Sequence, residues 1–399
     1  MMRISTLIRN AIQALLVASR VLSVFFVRCS LLVIYLVPIS LANAGENCPE
    51  ASQIMNEALR QTQGSREAEA SLMHATELCP SLAEGHYNLG LNLAVQGRLR
   101  DALSSFSRAK KIRNEVPFTI AVAKAQFMLG SLDDAQKSYR EVLGQEPKNS
   151  KALQGLAAVY FGAHKLSEAE DALRQALQYS PGDPALFYNL GIVLEARGML
   201  EEAAVSYQSA IAKRGDFAEA FLRLGRVYLT LKKNKEAEDA LHSAGLHRPR
   251  DITVWLSLAS LYDSSGNSES ALKALQKAEQ LEPQNQRVLI NLGITLNKLG
   301  HAEESLAKLK EAAEMKASNS DAYSALGWAY LRSNELDLAE QALNKAIALN
   351  NNDTFAHNNL GVVLELSGRR KEAKNSFIRA KELNPELKVV ETNLQIVTE

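Results

Sequence analysis

The segment CPEASQIMNEALRQTQGSREAEASLMHATELCP opens on Cys48-Pro49 and closes on Cys79-Pro80, and the one further cysteine is Cys29. Two thiols at the ends of one short segment point to oxidation to a disulfide, provided that the chain between them folds back on itself. Histidine is the other residue type that carries metal or proton chemistry. The seven histidines (His74, His86, His164, His242, His247, His301 and His357) read as scattered, and His242 with His247 lacks the spacing and partner ligands of a metal site. There is no G-x-S-x-G, no glycine-rich phosphate loop and no HExxH. Glu-Ala pairs are frequent, and in helices they form solvated faces more often than paired acids and bases. The expectation is a protein that is not an enzyme, with no catalytic residue, bound metal or cofactor.

Positioning two cysteines is a matter of secondary structure. The 399 residues are 46% apolar and only 6% aromatic, and Ala and Leu are abundant from about residue 49 to the end, which suits a uniform array of helices. Basic and acidic residues balance at 45 each. No bulk charge therefore favours nucleic acid or an anionic membrane, and nucleic acid is not an expected partner.

Residues 1–44 differ. They hold four arginines and no acid, then the apolar run CSLLVIYLVPISLA and Ala42-Asn43-Ala44 ahead of Gly45. These are the parts of a secretory signal with an A-x-A cleavage site. A retained anchor is one alternative, although Arg28 and Pro38 leave only about ten to fourteen uninterrupted apolar residues where a spanning helix needs about 20. A mitochondrial transit peptide is the other. Cleavage leaves no stable membrane span and a mildly acidic chain of 41 basic and 45 acidic residues. The expected location is periplasmic or secreted.

From residue 49 the chain repeats with a period of 34. Ten units start at 49, 83, 116, 150, 184, 218, 252, 286, 320 and 354, and only the second is one residue short. The seventh position is apolar throughout, from Met55 and Leu89 to Leu360. The eighth is Gly or Ala in nine units, the twentieth is Ala in nine, with Ser305 in the other, and the twenty-seventh is Ala in nine, with Val142 the exception. Small residues at fixed places on two successive helices let those helices approach closely. Each unit thus reads as an antiparallel helix pair, turning at Gly97, Gly130, Gly198, Gly266, Gly300 or Gly368 and ending before Pro80, Pro147, Pro181, Pro249, Pro283 or Pro385.

The pattern W/L/F/Y-x-x-L-G-x-x-Y…A-x-x-x-F…A…P resembles the tetratricopeptide repeat family over residues 49–387. The resemblance implies an all-α solenoid of about ten helix-turn-helix repeats in a right-handed superhelix, the first helix of every unit on the concave side. Residues 45–387 form the array. Residues 388–399 form a capping helix with Leu387, Val390, Leu394 and Val397 on one face and polar residues opposite. In an antiparallel pair Cys48 and Cys79 lie side by side, within reach of a disulfide; the alternative is two unpaired small core residues. The first unit departs from the pattern at Ser52 and Asn56, so its packing should be the weakest.

The family's groove is lined by positions 2, 5, 6, 9, 12 and 13 of the first helices. Position 6 is Asn88, Asn189, Asn291 and Asn359. By resemblance to the arrays that precede O-linked N-acetylglucosamine transferases, such amides bind a peptide backbone; the other reading is solvated polar residues. Positions 5 and 9 add Tyr87, Tyr188, Ile192, Ile294 and Trp328, which serve either as an apolar docking surface or as packing between repeats. Trp255, at position 4, should be buried. Position 5 carries no Lys or Arg in any unit, which excludes the carboxylate clamp of chaperone-binding arrays. The expected function is a non-catalytic scaffold whose partners are other proteins, in envelope assembly, export or TonB-type systems. The alternative is the non-catalytic arm of a glycosyltransferase-like or other enzyme complex.

Overall fold

The computed structural model describes residues 47–315 and 319–398; the signal expected over 1–44, with Cys29, lies outside them. These described residues hold twenty-one helices and no strand, none of them long and apolar enough to cross a membrane. The chain divides after Gly215 into two compact units. The first contains five helix pairs: α1 (Cys48–Ala58) with α2 (Arg66–Leu78), α3 (Ala83–Val95) with α4 (Leu99–Ile112), α5 (Val116–Met128) with α6 (Leu132–Gln145), α7 (Ser150–Gly162) with α8 (Leu166–Tyr179), and α9 (Pro184–Ala196) with α10 (Leu200–Lys213). The second contains five more and a final single helix: α11 (Ala218–Thr230) with α12 (Asn234–His247), α13 (Ile252–Ser264) with α14 (Ser268–Leu281), α15 (Gln286–Leu299) with α16 (Ala302–Met315), α17 (Ser320–Arg332) with α18 (Leu336–Leu349), α19 (Thr354–Leu366) with α20 (Arg370–Leu383), and α21 (Lys388–Thr398).

The two helices of a pair meet backbone to backbone. A Cβ added to Gly225 or Gly327, at position 8, would lie 3.3 Å from the carbonyl oxygen of Ala237 or Ala339, at position 20 of the same unit. Where position 20 is not alanine, Ser305 stays buried by donating its hydroxyl to the Gly293 carbonyl at 2.7 Å. A buried hydroxyl is tolerated only when so paired. Position 24 then drapes over the glycine. Phe106, Tyr207, Leu241, Leu309, Leu343 and Phe377 are at most 4% exposed, and an added Cβ on the facing glycine would come within 2.3–2.6 Å of each. A large residue at 24 and a small one at 8 are two halves of one contact.

In every pair but the first, where Gly64 at position 16 takes this role, the residue fifteen places into the unit adopts a left-handed conformation. Six units use glycine there, with φ between 75° and 85°, but His164, Lys232 and Asn334 take the same turn at φ 58°, 58° and 60°. The turn is closed by two hydrogen bonds, shown by Lys232 N–H to the Leu229 carbonyl at 3.0 Å and Lys233 N–H to the Tyr228 carbonyl at 2.9 Å. A side chain in this region costs about 1 kcal/mol or more, least for asparagine. Lys232→Gly should therefore stabilise the second unit by about 0.5–1 kcal/mol, and Asn334→Gly by much less. Urea unfolding of both variants checks the ranking; a Lys232→Gly chain with an unmoved midpoint would show that packing already absorbs the strain.

Six of the first helices start where Asn or Asp closes the preceding unit, whereas α3, α5 and α11 follow Leu82, Glu115 and Phe217 and have no side-chain cap. Asn149, Asp183, Asp251, Asn285, Asn319 and Asp353 each accept a backbone N–H of the first turn. Helix α1 lacks such a side-chain cap and buries only Ala51, Met55 and Ala58, whereas α3 buries eight residues. At this sparsely packed end Cys48 and Cys79 share a disulfide, with Cα atoms 4.9 Å apart and a sequence separation of 31. Closing a loop of that size adds about 3–4 kcal/mol in the chain-entropy model.

Helix α21 corrects one expectation. Val390 and Val397 are buried at 0% and 8% and Leu394 packs on the same core, but the opposite face is not wholly polar. Val389 and Ile396 stand 48% and 53% exposed on it.

Candidate partner-binding face

The first helices of successive pairs carry every candidate residue, and the structure sorts them into two groups. Tyr188, Asn189 and Ile192, all on α9, are buried at 5%, 2% and 5% exposure. The Tyr188 ring rests against Tyr207 with centroids 5.8 Å apart, which makes it part of the helix-pair core rather than an open surface. The Asn189 side-chain amide nitrogen is enclosed with no hydrogen-bond partner. Tyr87, Asn88, Asn291, Ile294, Trp328 and Asn359 are half-buried. Among these, Tyr87 packs against Phe106 and Phe118 at 5.7 and 5.3 Å, and Asn88 donates to the Met55 sulfur at 3.4 Å. Ile294 packs on the core of the second unit.

Sequence reasoning passed over the most exposed apolar side chains of this face. Phe355 and Leu366, on α19, are 62% and 59% exposed, and Val389 and Ile396 follow on α21. Their signal was available. Phe355 and Leu366 occupy positions 2 and 13, both groove positions, and Lys388 lies 34 residues after Thr354, so α21 is in register as a further first helix with Val389 at position 2 and Ile396 at position 9. That register brings a fifth asparagine to position 6: Asn393 donates to Asn358 at 2.9 Å, and Asn358 to Asn359 at 3.4 Å. Helices α19 and α21 thus combine exposed apolar side chains with linked amides, and the half-buried Trp328 lies on the preceding first helix, α17.

The polar residues elsewhere have structural work. His86 and His357 both occupy position 4, contrary to their reading as scattered, and each places Nε2 against the carbonyl six residues earlier: Pro80 at 3.1 Å and Asn351 at 3.2 Å. Trp255 makes the same bond, donating its indole N–H to Pro249 at 3.0 Å. It is half-buried, not buried as expected, because the N–H has to reach a surface turn. His242 lies 3.2 Å from the Tyr262 hydroxyl, which donates to Glu238 at 2.7 Å. Burial and the Glu238 carboxylate push that phenol up to about 12, so it stays protonated and serves as a donor bracing α12 against α13. No cluster of metal-ligating side chains occurs among the described residues.

Charge sets how the first unit responds to acid. Burial lowers the His86 imidazole below its ordinary value, and the hydrogen bond from Gln96 at 3.0 Å, joined by Arg98 at 2.6 Å, lowers the Glu69 carboxyl. In both cases the unfolded chain binds a proton more readily than the folded one, so stability falls as pH falls. The histidine share is lost from about pH 6.5 downward and the carboxylate share at lower pH. His86→Gln keeps a donor for Pro80 but does not titrate. Its melting temperature should drop less than that of the wild type between pH 7.5 and 5.5; equal drops would remove His86 as a source of acid sensitivity.

Comparison with known proteins adds three findings. The family model described as "Cilia and flagella-associated protein 70 C-terminal domain" matches residues 183–391, and the one described as "Tetratricopeptide repeat" matches residues 126–190. No curated protein matches in sequence. Among solved structures, a tetratricopeptide repeat protein from Parabacteroides merdae is similar at 17% identity with a TM-score of 0.54, covering 63% of this chain and 99% of its own. YrrB, described as a TPR protein with an unusual peptide-binding site, aligns at 23% identity over 47% of this chain and 96% of its own, with a TM-score of 0.41. The APC/C hetero-tetramer Cut9-Hcn1 aligns at 12% identity over 89% and 97%, with a TM-score of 0.48.

Proposed function

Because this chain belongs to the tetratricopeptide repeat family, whose folds are generally non-catalytic scaffolds for protein interaction, we propose that it binds a segment of another protein along the first-helix face of residues 328–396. The observation that carries this reading is the run of Phe355, Leu366, Val389 and Ile396, each about half exposed or more. Beside them, Trp328 is half-buried at position 9. Four large apolar side chains on two neighbouring helices form a patch whose removal from water drives association. The amide of Asn359 on this face, and that of Asn291 on α15 two pairs earlier, supply polar contacts that orient an extended backbone. The natural occupant is a segment with apolar anchors at strand or helix spacing.

The compartment proposed is the periplasm or the outside of the cell, and the partners are components of envelope assembly, export or TonB-type systems. The Arg-bearing, acid-free residues 1–44 ending in Ala42-Asn43-Ala44 support export. So does a disulfide, since cross-links persist in oxidising compartments.

Photo-crosslinking in the native host tests the reading. A photoreactive residue at position 328 or 355 should trap one defined protein, whereas the same group at Val205, 61% exposed on the second helix α10, should not. Trp328→Ala should reduce capture from position 355 without loss of helicity. Equal labelling from 328, 355 and 205 would dismiss this face as the binding surface.

A further inference from the structure

We propose that the Cys48–Cys79 disulfide is a redox latch: a dithiol that reduces it releases α1 from the array while the rest of the first unit stays folded. Helix α1 is weakly held. It is eleven residues long, its N-cap residue Asn47 makes no side-chain capping bond, its last turn has no basic residue, and it buries three side chains, two of them alanines. An isolated helix of that length is marginal in water. The disulfide joins its first residue to Cys79, just beyond the end of α2, and Cys79 is 1% exposed within the core that also contains Ala51, Met55, Leu72, Leu82 and Leu89.

Of the two bonded cysteines, Cys48 is the more exposed. Cys48 is half-buried and its partner sulfur is enclosed. A reductant thiolate therefore attacks the Cys48 sulfur and expels Cys79 as the thiolate, which takes up a proton. The second thiol of the reductant resolves the mixed disulfide, leaving Cys48 and Cys79 as two thiols and the reductant as its own disulfide, a transfer of two electrons. Without the tether, among the described residues α1 is held by buried Ala51, Met55 and Ala58 and the partly buried Ile54. Its departure frees the Asn88 amide from Met55 and uncovers Leu89 on α3 and Leu82 just ahead of that helix. Helix α3 stays folded on α4, where Phe106 covers Gly90. Redox state thereby sets whether the first-helix face begins at α1 or at α3.

The test is hydrogen exchange read by mass spectrometry on the full chain, before and after dithiothreitol without denaturant, with alkylation to count free thiols. The expected result is that both thiols appear and that amides of α1 exchange at least about fivefold faster, while those of α5 to α10 change by less than about twofold. Reoxidation should restore the original rates. Three outcomes would overturn the latch: reduction that requires denaturant, α1 amides that accelerate by less than fivefold with both thiols free, or acceleration shared equally by α1 to α10. The last would make the disulfide a staple for the whole unit. A Cys48→Ala/Cys79→Ala chain should reproduce the reduced pattern without any reductant.

Discussion

Gly361→Val is expected to destabilise the second unit by about 2–3 kcal/mol, which for a unit of this size lowers the melting temperature by roughly 4–12 °C. The reason is a single contact. A Cβ at residue 361 would lie 2.5 Å from Cε1 and 2.6 Å from Cδ1 of Phe377, and Phe377 is 2% exposed and has nowhere to turn. The pair must separate or the ring must leave its rotamer. Alanine is a milder intruder, because three units already place alanine at position 8, at Ala123, Ala157 and Ala259. Differential scanning calorimetry of the Gly, Ala and Val forms should show a small step followed by a large one. Equal melting of the Val form and the wild type would mean that the helix pair is not close-packed at this point.

Phe377→Ala attacks the same contact from the other side and should cost about 3–5 kcal/mol through lost burial and the cavity left behind. Phe377→Leu should cost less than about 1.5 kcal/mol, since Leu241, Leu275, Leu309 and Leu343 fill the equivalent place in four neighbouring pairs at 0–1% exposure. The decisive form is the double variant. If the glycine is small because the ring is large, the valine of Gly361→Val/Phe377→Ala occupies part of the vacated volume. The double loss then falls short of the sum of the single losses by about 1 kcal/mol or more. Strict additivity, measured by chemical denaturation, would separate the two residues and remove the explanation offered here for the repeat's small position.

Much of the fold was legible because the repeat is carried by residues whose size is their function. A helix pair in close contact favours Gly, Ala or a hydrogen-bonded Ser at positions 8 and 20, so the requirement recurs in every unit but the first, which has Asn56, and the period shows through. Turn chemistry was readable in part. Glycine marks the left-handed residue in most units, yet His164, Lys232 and Asn334 adopt it as well, because the packed helices on either side set the backbone and the side chain bears the strain.

The candidate face was less legible. Tyr87 and Tyr188 share position 5, and Asn88 and Asn189 share position 6, but only the residues of α9 are buried. Repeat position states which way a side chain leaves its helix; exposure depends on what the neighbouring helices bring against it, and those neighbours are variable residues. The same limit applied at α21, where apolar periodicity located the buried stripe of Val390, Leu394 and Val397 but not the exposed Val389 and Ile396 opposite. By itself, then, the sequence determined the paired-helix class, its period and the small residues at its contacts, because these follow from sterics local to one pair. Only the tertiary structure decided which groove positions stay open. That depends on the stacking of one pair on the next, a non-local relation that no single repeat encodes.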